Sequence, residues 1–355
     1  MYKLFEPDGL FSRIMNTVLN LILLNLLWII CSLPVVTLGA STAALMTSAA
    51  AQVVAEVVNF EVAAEQVQAA EYSKVAGVKG QFSFDQNVVT PADEVFSLFG
   101  SVVTGLCAKP DFAIGEGSTL INVGGDFIES YTVDIKEKAA HVKTLLCSCA
   151  TSVATANAKI TGVLLKDVLE QAKIDESVNT IAVKGADGYT AKLPLKYALD
   201  KEAMFVYQVG GKDVPSGNQF WVPETVAKYF TRSAVEVQLT AEAEVPAVEA
   251  REEAYRAEVA IMTPVEGREF AIGETITFEG YSDDCGDAIA AIEFSMDGGE
   301  TWTTYETANA TADKWVYWNF SYAPEAAGTY QLTVRAKTES GNVSPLAANV
   351  VFNVI

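Results

Sequence analysis

Residues 144–149 read TLLCSC, and they are followed by NAKITGVLLKDVLEQA at 157–172, VKGADGYTAKLPLKYALD at 183–200 and FVYQVGGKDVP at 205–215. Val142–Cys147 is apolar with little interruption, as in a strand of a buried sheet. Upstream, Leu120–Asp126 (LINVGGD) reads as a strand meeting a turn. After Thr161-Gly162-Val163, the residues Leu165, Val168, Leu169 and Ala172 fall at i, i+3, i+4 and i+7, which predicts one face of an amphipathic helix. Thr180–Val183 and Tyr189–Leu193 flank Gly185-Ala186-Asp187-Gly188, a turn that suits a hairpin.

In this order the segments resemble the molybdopterin-binding domain of the sulfite oxidase family, over at least residues 119–240. There a strand ends in a cysteine, a Gly-Val-Pro-Leu-type segment introduces a helix, and an Asp-Gly-Tyr hairpin with Leu-Pro-Leu follows. The resemblance implies that Cys147 ligates molybdenum, as the catalytic and metal-binding residue, within a molybdenum–molybdopterin cofactor carrying a single pyranopterin. A thiolate is a soft donor, suited to a metal that cycles by two electrons. The cofactor carries the chemistry, and the protein supplies position and electrostatics. Asp187 and Tyr189 are implied near the same pocket, and Arg232 is the implied partner of the cofactor phosphate, with Lys143, and also His141 and Lys228, as substitutes.

The chain departs from that pattern at several positions. Ser148-Cys149-Ala150-Thr151 stands where the family has Gly-Asn after the cysteine, and Tyr207-Gln208-Val209-Gly210-Gly211 replaces Tyr-Glu-x-Asn-Gly. Gln219–Glu224 lacks the Pro-x-Arg of the family, which speaks against sulfite itself as substrate. Cys147 and Cys149, two apart, share one face of a strand and are also readable as ordinary strand residues.

Composition narrows the alternatives. The 355 residues, 50% hydrophobic, suffice for more than one domain. With 24 Lys plus Arg against 45 Asp plus Glu, the net charge of −21 argues against a nucleic-acid partner. The single histidine, His141, excludes multi-histidine metal sites. Five cysteines without a C-x-x-C pair support neither a disulfide scaffold nor a zinc ribbon.

Residues 1–45 are expected to be a membrane anchor or signal segment. No charged residue lies between Arg13 and Glu56, and Val18–Leu38 (VLNLILLNLLWIICSLPVVTL) is long enough to span as a helix. NLLWIICSLPVVTLGASTAAL is also similar to the opening of a family of small bacterial integral membrane proteins, a likeness without functional content. Residues 46–80 read as an Ala-rich stalk, 81–240 as the molybdopterin-binding domain and 241–257 as an acidic, solvated linker. Residues 258–355 carry short strands at regular spacing, predicting an immunoglobulin-like β-sandwich with Trp302, Trp315, Tyr317, Trp318 and Phe320 in its core or on its faces. The turn Ser295-Met-Asp297-Gly-Gly-Glu-Thr301-Trp302 resembles both the Asp-box turn of sialidases and the dimerisation domain that follows the cofactor domain in the sulfite oxidase family, implying a homodimer.

The expected fold class is therefore α+β followed by an all-β sandwich, with an N-terminal membrane helix. The expected function is a membrane-anchored, extracytoplasmic oxidoreductase acting on a small-molecule substrate with an unspecified electron-transfer partner. The competing expectation is a degenerate relative that keeps the fold as a cell-surface binding or adhesion module.

Overall fold

The computed structural model describes residues 72–99, 117–151, 154–265 and 268–355. The apolar stretch 18–38 and most of the expected stalk lie outside the described residues. Among the described residues no helix is long and apolar enough to cross a membrane.

The first described strand, β1 (Gln81–Asp85), is followed by helix α1 (Ala92–Phe99). The middle domain then contributes β2 (Leu120–Gly125), β3 (Ile128–Asp134), β4 (His141–Ser148), β5 (Thr155–Leu164), β6 (Thr180–Gly185), β7 (Thr190–Pro194) and β8 (Met204–Val209). It closes with β9 (Lys212–Asp213), β10 (Gln219–Trp221), β11 (Thr231–Arg232) and β12 (Ala234–Thr240). Two sheets result, one ordered β11-β10-β8-β5-β4 and the other β3-β2-β12-β6-β7. The chain crosses repeatedly between them. Their facing residues, among them Ile121, Ile160, Val163, Val183, Phe205, Phe220, Val237 and Leu239, form one buried core.

Regular structure among the described residues is mostly strand, which corrects the α+β expectation. Besides α1, only α2 (Leu165–Val168) and α3 (Leu195–Asp200) are α-helical there. The predicted amphipathic helix shrinks to α2 plus a turn in which Leu169 N–H reaches the Leu165 carbonyl and Ala172 N–H the Leu169 carbonyl. Its apolar face was read correctly, since Leu165, Val168 and Leu169 are buried. The segment starts directly out of β5 with Leu164 as its N-cap and no side-chain cap, so nothing local favours extension.

The sandwich comprises β13 (Glu258–Ile261), β14 (Glu269–Phe270), β15 (Ile276–Asp283), β16 (Ile289–Ser295), β17 (Thr303–Glu306), β18 (Val316–Tyr322), β19 (Gly328–Thr338) and β20 (Ala348–Val354). Its sheets are ordered β1-β18-β15-β13 and β14-β20-β19-β16-β17. The presence of β1 here corrects the expected boundaries at 80 and 81. Phe82 pairs with Phe320 and Phe84 with Trp318 across the β1–β18 ladder. Val78, 1% exposed, is buried in the same core, and Ser73 N–H bonds to the Thr329 carbonyl. Residues 72–85 are thus sandwich, and the middle domain is inserted after them. The cause is the Phe-x-Phe alternation of QFSFD, which gives one strand face two rings to bury.

Gly280 makes the aromatic core possible, because a Cβ there would sit 2.3 Å from Cζ2 of Trp318 and 2.0 Å from the Ala260 carbonyl oxygen. Trp302 lies outside that core, under the Arg335 guanidinium at 3.9 Å. The 295–302 turn is fastened by Asp297, which accepts from Thr301 N–H at 2.9 Å and from the Ser295 hydroxyl at 2.8 Å. Gly298 and Gly299 take φ of 75° and 85°, a region that penalises a Cβ. Bonds from the Thr301 hydroxyl and its backbone N–H hold the Asp297 carboxyl down to about 2. Its folded value lies below an unfolded carboxylate's, so its stabilisation is present above about pH 4 and lost as the pH falls through the folded value. Urea midpoints of the wild type and Asp297→Asn are expected to differ at pH 7 and to converge toward pH 2.

Candidate active site

Cys147 lies one residue from the end of β4 and is 1% exposed. It lines a small cleft together with Phe99, Gln219, Ala227, Phe230, Thr231 and Arg232. The sequence brings these residues together through pairing. The β4 end pairs with β5 at Cys147↔Ala156, while β10 and β11 set Gln219 opposite Arg232. A 3-10 turn over Ala227–Tyr229 leads Phe230 and Thr231 in.

Arg232 is 3% exposed. Its Nη2 meets Asp187 Oδ2 at 3.2 Å, in a pair whose side chains are 3% and 2% exposed. Asp187 belongs to the β6–β7 turn, where its Oδ1 also accepts from Tyr189 N–H at 3.0 Å. The Tyr189 hydroxyl donates to the Lys228 carbonyl at 2.5 Å, tying that hairpin to the 227–232 stretch. Asp187 therefore pairs with Arg232 and Tyr189 braces the turn that carries Asp187, and neither lines the cleft. Asp187 neutralises the guanidinium; Tyr189 fixes the segment that carries it.

The expected phosphate substitutes sit elsewhere. Lys143 is absent from the cleft lining, because its ammonium is engaged by Glu202. That contact holds the Glu202 carboxyl below its usual range, through the hydrogen bond first and the charge second. His141 Nε2 lies 3.2 Å from Asp167 Oδ2, and Lys228 pairs with Glu249. Each of these cations has found a carboxylate, as expected in a chain of net charge −21.

Sequence reasoning did not pick out Phe99, Gln219 or Phe230 in the lining. It also missed Arg251, Asp283 and Ser148, which meet beneath Cys147. The expected linker is indeed mostly exposed over 241–250, yet Arg251 is 2% exposed, which corrects the solvated reading at that position. The available signal was a pair of arginines, Arg251 and Arg256, inside an otherwise acidic run.

Residues 131–237 match the family described as the oxidoreductase molybdopterin binding domain, and residues 258–334 match the bacterial Ig domain. The family match over residues 131–237 and the fold agree with the sequence resemblance to the molybdopterin-binding domain of the sulfite oxidase family. Among solved structures it is similar to the sulfane dehydrogenase SoxCD from Paracoccus pantotrophus, with a TM-score of 0.55 and 14% identity, over 79% of this chain and 88% of that one. A PKD domain of an M14-like peptidase from Thermoplasmatales archaeon SCGC AB-540-F20 aligns at a TM-score of 0.21 and 18% identity, over 28% of this chain and 92% of its own. No curated protein matches the chain.

The cleft suits the metal end of the family's cofactor. A buried cysteine at a strand end provides a soft donor, and a guanidinium in the same lining suits an anionic oxygen.

Proposed function

We propose that the chain is a membrane-anchored, extracytoplasmic molybdopterin-dependent oxidoreductase in which Cys147 is the molybdenum ligand and Arg232 faces the cofactor's anionic part. The bound group would supply two-electron or oxygen-atom transfer. The chain's own residues would hold it, exclude water with Phe99 and Phe230, and keep Arg232 oriented through Asp187 and Tyr189. The observation that carries this reading is that Cys147 and Arg232, 85 positions apart in sequence, line one buried cleft. The anchor would be residues 1–45, and the sandwich would provide a homodimer contact. The likeness to a sulfane dehydrogenase is one of fold, and the substrate here is a small molecule of unspecified class.

The second reading, a non-catalytic surface module that retains the fold, is favoured by one observation: Arg232 is the only cation in the cleft lining among the described residues, and it already carries Asp187 as counter-ion. Elemental analysis separates the two. The full chain, purified in detergent from a host that makes the cofactor, is expected to hold close to one molybdenum per chain, and Cys147→Ser is expected to hold almost none. A metal-free wild type would remove the enzymatic reading.

A further inference from the structure

The strand end that carries Cys147 is gripped from both sides by the sandwich. Just before it, Leu146 N–H donates to the Asp313 carbonyl at 2.7 Å. Just after it, the Ser148 hydroxyl receives Nη2 of Arg251 and approaches Asp283 Oδ2 at 3.4 Å. The same Nη2 reaches Asp283 Oδ1 at 2.5 Å and lies 3.2 Å from Cys285 Sγ. Nη1 donates to the Asp283 carbonyl at 3.1 Å and to Glu258 Oε2 at 3.2 Å. Glu258 Oε2 accepts in turn from Thr155, whose hydroxyl is 2.6 Å from that of Ser148.

Ser148 and Thr155 belong to the middle domain, Arg251 to the connector, and Asp283, Cys285 and Glu258 to the sandwich. The side chains of Arg251 and Asp283 are both 0% exposed. Burial works against the charge on Arg251, but the surrounding groups, Asp283 foremost, outweigh it, and the guanidinium stays protonated. Burial pushes the Cys285 thiol up, so it is no rival nucleophile. A guanidinium this deep is costly to desolvate and persists only where its partners are fixed. Those partners come from both the middle domain and the sandwich and converge on the residue next to Cys147.

We infer that Arg251 is a positioning residue, which locks the end of β4 onto the sandwich and so sets where Cys147 presents its sulfur to the cofactor. The sandwich then acts on the site from behind, without touching substrate. This deepens the proposed function, since it rests on Cys147 being the metal ligand, but its mechanical part stands apart from that reading.

The mechanical part is tested on the full, cofactor-free chain by native-state hydrogen exchange with peptide mapping, comparing the wild type with Arg251→Met and Ser148→Ala. Ser148→Ala removes the hydroxyl without orphaning a charge, so it decides should Arg251→Met fail to fold. Amides of 145–149 and of their partners 154–158 are expected to exchange at least about tenfold faster, while the hairpin 180–194 keeps its protection. Unchanged protection at 145–149 in Ser148→Ala, or an equal loss throughout both domains, would overturn the inference. The second arm uses chains from a cofactor-producing host. Molybdenum retained after gel filtration is expected to fall about fivefold or more in Ser148→Ala and Arg251→Met, and to recover in part in Arg251→Lys. Normal retention in the first two overturns the positioning role, whereas a metal-free wild type sinks the ligand assignment and leaves the exchange result standing.

Discussion

Asp187→Ala is expected to destabilise the cofactor-free chain by about 3–5 kcal/mol, read as a lowered denaturant midpoint at unchanged slope. Arg232 and Asp187 are 3% and 2% exposed and 3.2 Å apart, so the substitution leaves a guanidinium buried without its carboxylate. The Tyr189 N–H also loses its acceptor, at 3.0 Å in the wild type. Asp187→Asn keeps an acceptor for that N–H and is expected to lose less. The double variant Asp187→Ala/Arg232→Met is expected to regain a large part of the loss, because the uncompensated charge has gone; a double-mutant cycle measures that coupling. A loss below about 1 kcal/mol in Asp187→Ala would mean that water reaches Arg232 and that the cleft is more open than described.

Phe294→Ala is the second large effect, at about 3–5 kcal/mol. Phe294 is 0% exposed and stacks on Phe320 with ring centroids 4.1 Å apart. It also meets Trp318 edge-on at 5.4 Å and Tyr305 at 5.8 Å. Phe82 of β1 reaches the same ring at 6.1 Å, so truncation opens a cavity at the point where the two sheets and the incoming strand converge. Phe294→Leu, which fills most of that space, is expected to cost much less. Trp318 fluorescence is expected to report the change directly, since its indole borders the vacated ring.

The sandwich was legible because each of its long strands carries its own evidence. Val316–Tyr322 alternates buried and half-buried residues along its whole length, and turns such as Asp297-Gly298-Gly299 punctuate the run. The strand β1 escaped because its alternation is only five residues long and its partner lies beyond the inserted domain. The middle domain showed its strands but not its sheets: β6 follows β5 along the chain yet pairs with β12 and β7 in the other sheet. Local pattern sets where a strand is, whereas long-range burial decides what it lies beside.

The site divides in the same way. The motif order singled out Cys147, Asp187 and Arg232, and these residues do meet in or just behind one cleft. Lys143 was offered for its charge, as a substitute partner of the cofactor phosphate, but Glu202 holds it. Arg251 was hidden by its acidic neighbours. Its burial depends on Ser148 and Asp283, both far away in sequence, and no window around Arg251 contains either.

The position of β1 has a consequence for the order of assembly. Its partner Val316–Tyr322 comes near the end of the chain, so a growing polypeptide must hold Phe82 and Phe84 unpaired until the whole inserted domain and most of the sandwich have been made. Pairings of such long sequence separation slow folding and leave apolar edges open to wrong partners meanwhile. Once β1 is seated, however, both ends of the inserted domain are pinned to one folded body. Its unfolded state is then a closed loop with less conformational freedom to gain, so the domain that carries Cys147 draws part of its stability from the completion of its neighbour.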